Sequence, residues 1–268
     1  MTRHAFDTAV ALQQQGGGLF QGETSPAYAN FIGPYGGITA AQVVQAALLH
    51  PQRLGEPVSL TVNYAAPLAD GKFLVHAHPA RTNRSTQHWI IEVKQQEHVV
   101  ATATLLTAVR RETWGVLEAR LPEVPRPAAV PITPRLGVEW LNRYEMRFID
   151  GLLTSKWDGS GGPDSITRLW VRDHPARPLD FAALTAMSDI FFPRIWLRRA
   201  TQTPLGTVTM TVYFHADSKV LGDTGAGHLL GQVRGQGFRN GFFDHSGLLW
   251  NQQGLLLATT HQIVYYKQ

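Results

Sequence analysis

The feature that most restricts the fold of this chain is an internal repeat. Ser59–Tyr64 (SLTVNY) aligns with Thr209–Phe214 (TMTVYF) at an offset of 150, and Gln95–Thr102 (QQEHVVAT) aligns with Gln252–Thr259 (QQGLLLAT) at an offset of 157. Two matches in the same order, separated by a small insertion, indicate a duplicated structural unit. Between the copies lies Leu121–Pro134 (LPEVPRPAAVPITP), where Pro122, Pro125, Pro127, Pro131 and Pro134 forbid a helix and keep the backbone extended. The expected organisation is therefore a first unit over 1–120, a linker strapped between the units over 121–134, and a second unit over 135–268.

Each unit reads as a helix followed by strands. Gly36-Gly37 opens Ile38–Leu49, rich in alanine and leucine and of high helical propensity. Strand-like runs follow at 58–65, 73–80, 88–94 and 99–109, separated by turn residues at Asp70-Gly71, Asn83 and Gln95-Gln96-Glu97. In the second half Pro178 is suited to a first helical turn, and Leu179–Pro193 predicts a helix that is apolar nearly all round, hence buried on most sides. Further strands are expected around 208–215, 228–235, 247–251 and 255–266. A central buried helix against a long antiparallel sheet, occurring twice, predicts an α+β fold.

Composition narrows the function classes. With 268 residues, 44% hydrophobic and 16% charged, the chain can bury a sizeable core and is not disordered. No apolar run approaches the roughly 20 residues of a membrane helix, and Ala9–Leu12 is too short for a signal-peptide core, so a soluble cytoplasmic protein is expected. The absence of cysteine excludes disulfides, thiol nucleophiles and cysteine-ligated metals, and no histidine pair has metal-binding spacing, so no cofactor or metal is expected. Arginine outnumbers lysine 19 to 5 at a net charge of +4. That excess fits either a phosphate-bearing ligand or a compositional bias; without a continuous basic stripe it does not predict nucleic-acid binding. Gly159–Gly162 lacks the strand, lysine and helix of a phosphate loop and reads as a flexible connection.

Two local features carry chemistry. Asp189 follows Ser188 in the apolar helix, where desolvation raises a carboxyl towards the range of a general base unless neighbours donate hydrogen bonds. It has either a structural partner or a catalytic role. Gly36 and Gly37 at a helix start offer backbone N–H groups to a developing oxyanion, or simply allow close packing of helix on sheet.

GPYGGITAAQ, SLTVNYAAPLADG, RTNRSTQHW and VVATATLLT, with LLLATTHQIVYYK at the end of the second copy, resemble the hotdog fold in its double form. The chain is similar to the acyl-CoA thioesterase II family over most of its length. The resemblance implies two tandem hotdog units, each a long helix wrapped by a curled antiparallel sheet, and hydrolysis of acyl-CoA thioesters by a directly activated water, a role in lipid metabolism. It credits a strand Asp, a Ser/Thr and a Gln with positioning that water. The Gln falls on Gln262. The Asp falls on Thr209, whose hydroxyl either holds a water without taking its proton or is merely strand-favouring, and the Ser/Thr falls near Gln236, so the carried-over set is incomplete. Asp189 matches an Asp of the family's second-unit helix and is the best remaining base. Slow turnover is the corresponding expectation.

Around that set, Gln262 and His261 alternate to opposite faces, and six strand residues hold His215 about 20 Å from Thr209. The Arg81–Thr86 turn, with Arg81, Asn83, Arg84 and Ser85, is either a contact for the pantetheine or phosphate of CoA or a solvated hairpin. The alternative function is a catalytically weak hotdog protein that binds acyl-CoA or acyl groups; a hydratase is disfavoured because its Asp-x-Asn-Pro-x-His motif is lacking. Two hotdog units in one chain leave outer sheet edges, so a homodimer or larger assembly is expected.

Overall fold

Strands from both halves of the chain join in a single antiparallel sheet. The computed structural model describes residues 3–134, 137–153 and 155–267; the expected unit boundaries at 1, 135 and 268 lie outside them. The first half contributes α1 (Ala5–Ala9), β1 (Gln13–Gly16), β2 (Leu19–Glu23), α2 (Gly36–Leu49), β3 (Glu56–Tyr64), β4 (Lys72–Thr82), β5 (Thr86–Gln95) and β6 (His98–Ala108). The second contributes β7 (Tyr144–Asp150), β8 (Thr167–Asp173), α3 (Phe181–Met187), α4 (Arg194–Arg199), β9 (Leu205–Phe214), α5 (Ser218–Thr224), β10 (Leu229–Arg234), β11 (Phe238–Arg239), β12 (Phe242–Trp250) and β13 (Leu256–Tyr266).

The strand order is β1-β2-β4-β5-β6-β3 and then β9-β13-β12-β10-β8-β7, with β11 beside β12. The second series is the first in reverse, as a duplication related by a two-fold axis requires. That axis passes between β3 and β9, the strands that carry the SLTVNY and TMTVYF repeat. Thr61 pairs with its own repeat counterpart Thr211, and their hydroxyls meet at 2.9 Å. Even an irregularity is duplicated: β3 bulges between Pro57 and Ser59 against β6, and β9 bulges opposite Ile263 and Val264 of β13.

The helices lie against one face of this sheet and against each other. Ala40, Ala41, Val43, Val44, Ala46 and Ala47 of α2 are all fully buried, so the small side chains let the backbone approach its neighbours closely. The second helix departs from expectation. Asp180 caps it by accepting from the Ala183 N–H, and it ends at Met187 rather than running to Pro193. Ser188 and Thr185 turn their hydroxyls onto the carbonyls of Leu184 and Phe181, and Pro193 lacks the N–H that a continuing helix would need from it. The chain restarts as the short α4. Asp189 consequently sits beyond the end of α3, not within a helix.

The proline-rich segment is extended apart from a short turn at Pro127–Ala129, and it is strapped onto the outer face of the second half. Leu121, Val124 and Val130 pack with Trp170, Leu230 and Trp250. The Trp170 indole donates to the Pro125 carbonyl at 2.9 Å, and Arg147 donates to the Pro127 and Val130 carbonyls. Arg110, just before this segment, reaches the Pro57 carbonyl of one half and the Phe214 carbonyl of the other. Part of the arginine excess is therefore spent on backbone carbonyls.

One buried cluster runs through both halves and includes Leu60, Val62, Met210 and Val212 at the junction. Leu60→Ala is expected to lower the unfolding free energy by about 2–5 kcal/mol. Because the core is shared, chemical denaturation followed by tryptophan fluorescence is expected to show a single transition; two separated transitions would contradict a shared core.

Candidate active site

The two halves meet at the start of α2 and the end of α3. Tyr35 precedes α2 and offers no side-chain cap, so the first N–H groups of the helix need acceptors from elsewhere. The Asp189 carboxylate, contributed by the other half, lies beside this helix start, where the Gly37 backbone N–H favours its ionised form. Gln262 of β13 donates from Nε2 to Asp189 Oδ1 at 2.7 Å. The carboxylate is thus held between a helix N-terminus of the first half and a strand amide of the second.

Both glycines are needed for this approach. A Cβ on Gly36 would lie 2.9 Å from Asp189 Oδ2, and one on Gly37 would lie 2.6 Å from the Ala186 carbonyl oxygen. Two phenols fix the backbone on either side: Tyr64 donates to the Gly36 carbonyl at 3.0 Å and Tyr35 to the Ala186 carbonyl at 2.6 Å. Burial, and then the charge of Asp189, push both phenols well above their usual range, so they remain donors.

Asp189 keeps part of its surface open to solvent while protein atoms crowd its other sides. Burial raises its pKa to about 7, against the opposing hydrogen bonds from Gln262 and the Gly37 N–H. A carboxyl titrating near neutrality, oriented by an amide and partly accessible, is suited to taking a proton from water.

Gly36, Gly37, Asp189 and Gln262 therefore come together, and Gln262 faces inward while His261 is exposed, as their alternation requires. Thr209 does not join them. It pairs with Asn63 on one side and with Ile263 on the other, on the outer face of the sheet. Its lack of a carboxyl consequently gives no geometric reason for slow turnover. The β9 bulge accounts for this: Ile263 lies opposite Thr209, and the next residue, Val264, lies opposite Thr207. Thr207 thereby shares a face with the buried Val264 and Gln262. Simple two-residue alternation counted back from Met210 places Thr207 outside, which is why strand periodicity alone misses it.

The remaining candidates lie elsewhere. Gln236 is exposed in the turn after β10, where its N–H donates to Asp244. Arg81, Asn83, Arg84 and Ser85 belong to the β4–β5 hairpin, separated from β13 by β6, β3 and β9. Arg81 donates to Asn83, Asn83 to Thr86, and Ser85 accepts from the Val109 N–H. Among the described residues no group of three or more His, Cys, Asp or Glu side chains is arranged to hold a metal ion, and no helix is long and apolar enough to cross a membrane.

Comparison with known proteins agrees with this architecture. The family model for the acyl-CoA thioesterase N-terminal domain matches residues 25–108, and that for the C-terminal domain matches 118–266. The chain belongs to the acyl-CoA thioesterase family. A crystal structure of a conserved protein of unknown function with a hot dog fold from Alicyclobacillus acidocaldarius is 46% identical over 100% of this chain and 99% of its own, with a TM-score of 0.94. A putative thioesterase II from Thermobifida fusca has 18% identity, a TM-score of 0.85 and the same coverage of both chains. The tesB protein of Mycobacterium avium subs paratuberculosis has 19% identity and a TM-score of 0.81 over 98% of each chain. A search of curated proteins gives no match.

The carboxyl of Asp189 is expected to leave a signature in stability. With a folded pKa near 7 and a lower value when unfolded, the native state binds the extra proton between about pH 4 and 7, so this group makes stability fall as pH rises through that window. Asp189→Asn is expected to be more stable than the native chain at pH 8, with the advantage shrinking towards pH 4, as read from urea midpoints across pH.

Proposed function

We propose that the protein hydrolyses acyl-CoA thioesters to the free acid and CoA, with Asp189 as general base. The observation that carries this reading is the Asp189 carboxyl, pinned by Gln262 at the junction of the halves and titrating near pH 7. Ionised Asp189 takes a proton from water as the water oxygen bonds to the thioester carbonyl carbon. The carbon–sulfur bond then breaks, and the departing thiolate of CoA takes up the proton held by Asp189, which restores the carboxylate. Gln262 orients the carboxylate, and the Thr207 hydroxyl, on the same face, holds the water or the carbonyl oxygen. No covalent intermediate with the protein is needed.

The finer organisation belongs to the same proposal. The halves act as two tandem hotdog units, bounded at 120 and 135, with the strap over 121–134 between them. Arg81, Asn83, Arg84 and Ser85 are assigned to contacts with the polar portion of CoA. The outer edge strands β1 and β7 favour assembly into a homodimer or larger particle, which sedimentation at micromolar concentration tests.

Release of CoA from a panel of acyl-CoAs is the direct test. Asp189→Asn is expected to lower kcat by about 10²–10⁴-fold with the fold intact. kcat/KM is expected to rise with pH and level off above about 7, as the carboxyl ionises. Gln262→Ala removes a hydrogen bond that favours the ionised form, so it is expected to lower kcat and move the inflection to higher pH. Thr207→Val is expected to slow turnover, whereas Thr209→Val on the outer face is expected to leave it near the native rate. Binding of acyl-CoA without any CoA release would favour an acyl-binding protein instead.

A further inference from the structure

Beside Gln262 the inner face of the sheet carries polar groups that the proposed hydrolysis does not use. His245 of β12 lies directly opposite Gln262, and Thr260 lies opposite Gly247, one inward position further along. His245 is 3% exposed and Thr260 fully buried, yet Nδ1 and Nε2 of the imidazole and Oγ1 of the threonine have no hydrogen-bond partner. Buried polar groups left unmet destabilise a fold, so a polar occupant is favoured there.

The fold itself does not demand polarity at these positions. In the first half, Trp89 pairs with Leu105 and Ile91 with Ala103 in the corresponding strands. The duplicated pairs are His245 with Gln262 and Gly247 with Thr260. The counterpart of Thr207 is Pro57. One half is therefore apolar where the other carries hydroxyl, imidazole and amide groups around Asp189.

The surroundings indicate which chemistry would be bound. Burial, then the positive charge of Arg194 and the neighbouring His261, hold His245 down to a pKa of about 3, so its ring is neutral and offers one donor and one acceptor. Arg194 is fully buried; it donates to the Phe192 and Ser165 carbonyls and to the Thr167 hydroxyl, and among the described residues no carboxylate pairs with it. Phe191 packs edge-on against His245 and fills the space left by Gly231 and Gly247, closing the apolar side. Directly opposed Cβ atoms lie about 5 Å apart, so the imidazole is within reach of the first few carbons of an acyl group whose carbonyl sits at Asp189.

We infer that His245 and Thr260 form a subsite for an oxygen-bearing short acyl group, one with a hydroxyl, carbonyl or carboxylate within a few carbons of the thioester. This rests on acyl-CoA being the ligand of the Asp189 site. A hydroxyl or carbonyl would be met by the neutral imidazole and the threonine hydroxyl, and a carboxylate would in addition be favoured by the field of Arg194.

The test uses the full chain and four acyl-CoAs of equal length: butyryl-, 3-hydroxybutyryl-, acetoacetyl- and succinyl-CoA. Affinity is measured by calorimetry on Asp189→Asn, and kcat/KM on the native chain. At least one oxygenated acyl-CoA is expected to exceed butyryl-CoA by tenfold or more in both measurements, and which one identifies the substituent. His245→Leu and Thr260→Val, each checked for folding by thermal melting, are expected to bring that ratio close to one, and His245→Asn and Thr260→Ser, which keep polar atoms, to restore part of it. Equal or better binding of butyryl-CoA, or a preference unchanged in both apolar variants, would overturn the subsite. Discrimination in affinity with no CoA release from any of the four would support the subsite while rejecting hydrolysis.

Discussion

Everything in this protein depends on the pairing of β3 with β9. It joins the two halves of the chain through the strands that carry the sequence repeat, with Thr61 against Thr211. Continuous pairing across that junction leaves no open sheet edge at the centre of the molecule and puts the two buried helices side by side. Only in that arrangement does the uncapped start of α2 face the chain leaving α3. The Asp189 carboxylate then lies against the helix start that Tyr35 leaves uncapped, so the catalytic candidate also faces the N-terminus of α2.

The duplication is symmetric in topology and asymmetric in chemistry. The first half spends its inner face on Trp89, Leu105, Ala103 and Pro57, which pack without needing partners. The polar groups on its inner face are satisfied internally: the Trp89 indole donates to Thr107 at 3.1 Å, and Gln87 and Gln95 donate to Thr82 and to backbone carbonyls. The second half carries His245, Gln262, Thr260 and Thr207 in the equivalent strands and leaves several of their atoms unmatched. A fold stabilised by one apolar half can tolerate a less stable, polar counterpart in the other. Arginine serves the fold as well: Arg110, Arg147 and Arg194 hold backbone carbonyls at strand ends and in loops, for which a planar fork with five donors is well suited.

The strands were legible wherever alternation was clean. The runs at 58–65, 73–80, 88–94 and 99–109 correspond to β3–β6 within two residues at each end, because Val, Thr and Ile alternate there between obvious turns. The start of β12 is less legible: the structure begins it at Phe242, not near 247. The strands β1, β2, β7 and β8 lack such a pattern; they are short or carry charge on both faces, and their pairing partners rather than their propensity make them strands. The break of the second helix was also hidden, since its apolar residues continue past Met187 and only the hydroxyls of Thr185 and Ser188 and the distant Pro193 signal its end.

At the site, the residue types determined what could happen and the tertiary structure decided what does come together. An aspartate in an apolar run, a glycine pair before a helix and an inward glutamine could all be read from the chain itself, since each depends on local composition or on two-residue alternation. Their convergence could not, because Gly37, Asp189 and Gln262 are brought together only by the pairing of the halves. The facing of Thr207 and Thr209 is the clearest case. One bulged residue in β9 reverses the facing of everything before it, and that shift is set by the register against β13, a long-range property which a period counted along one strand does not contain.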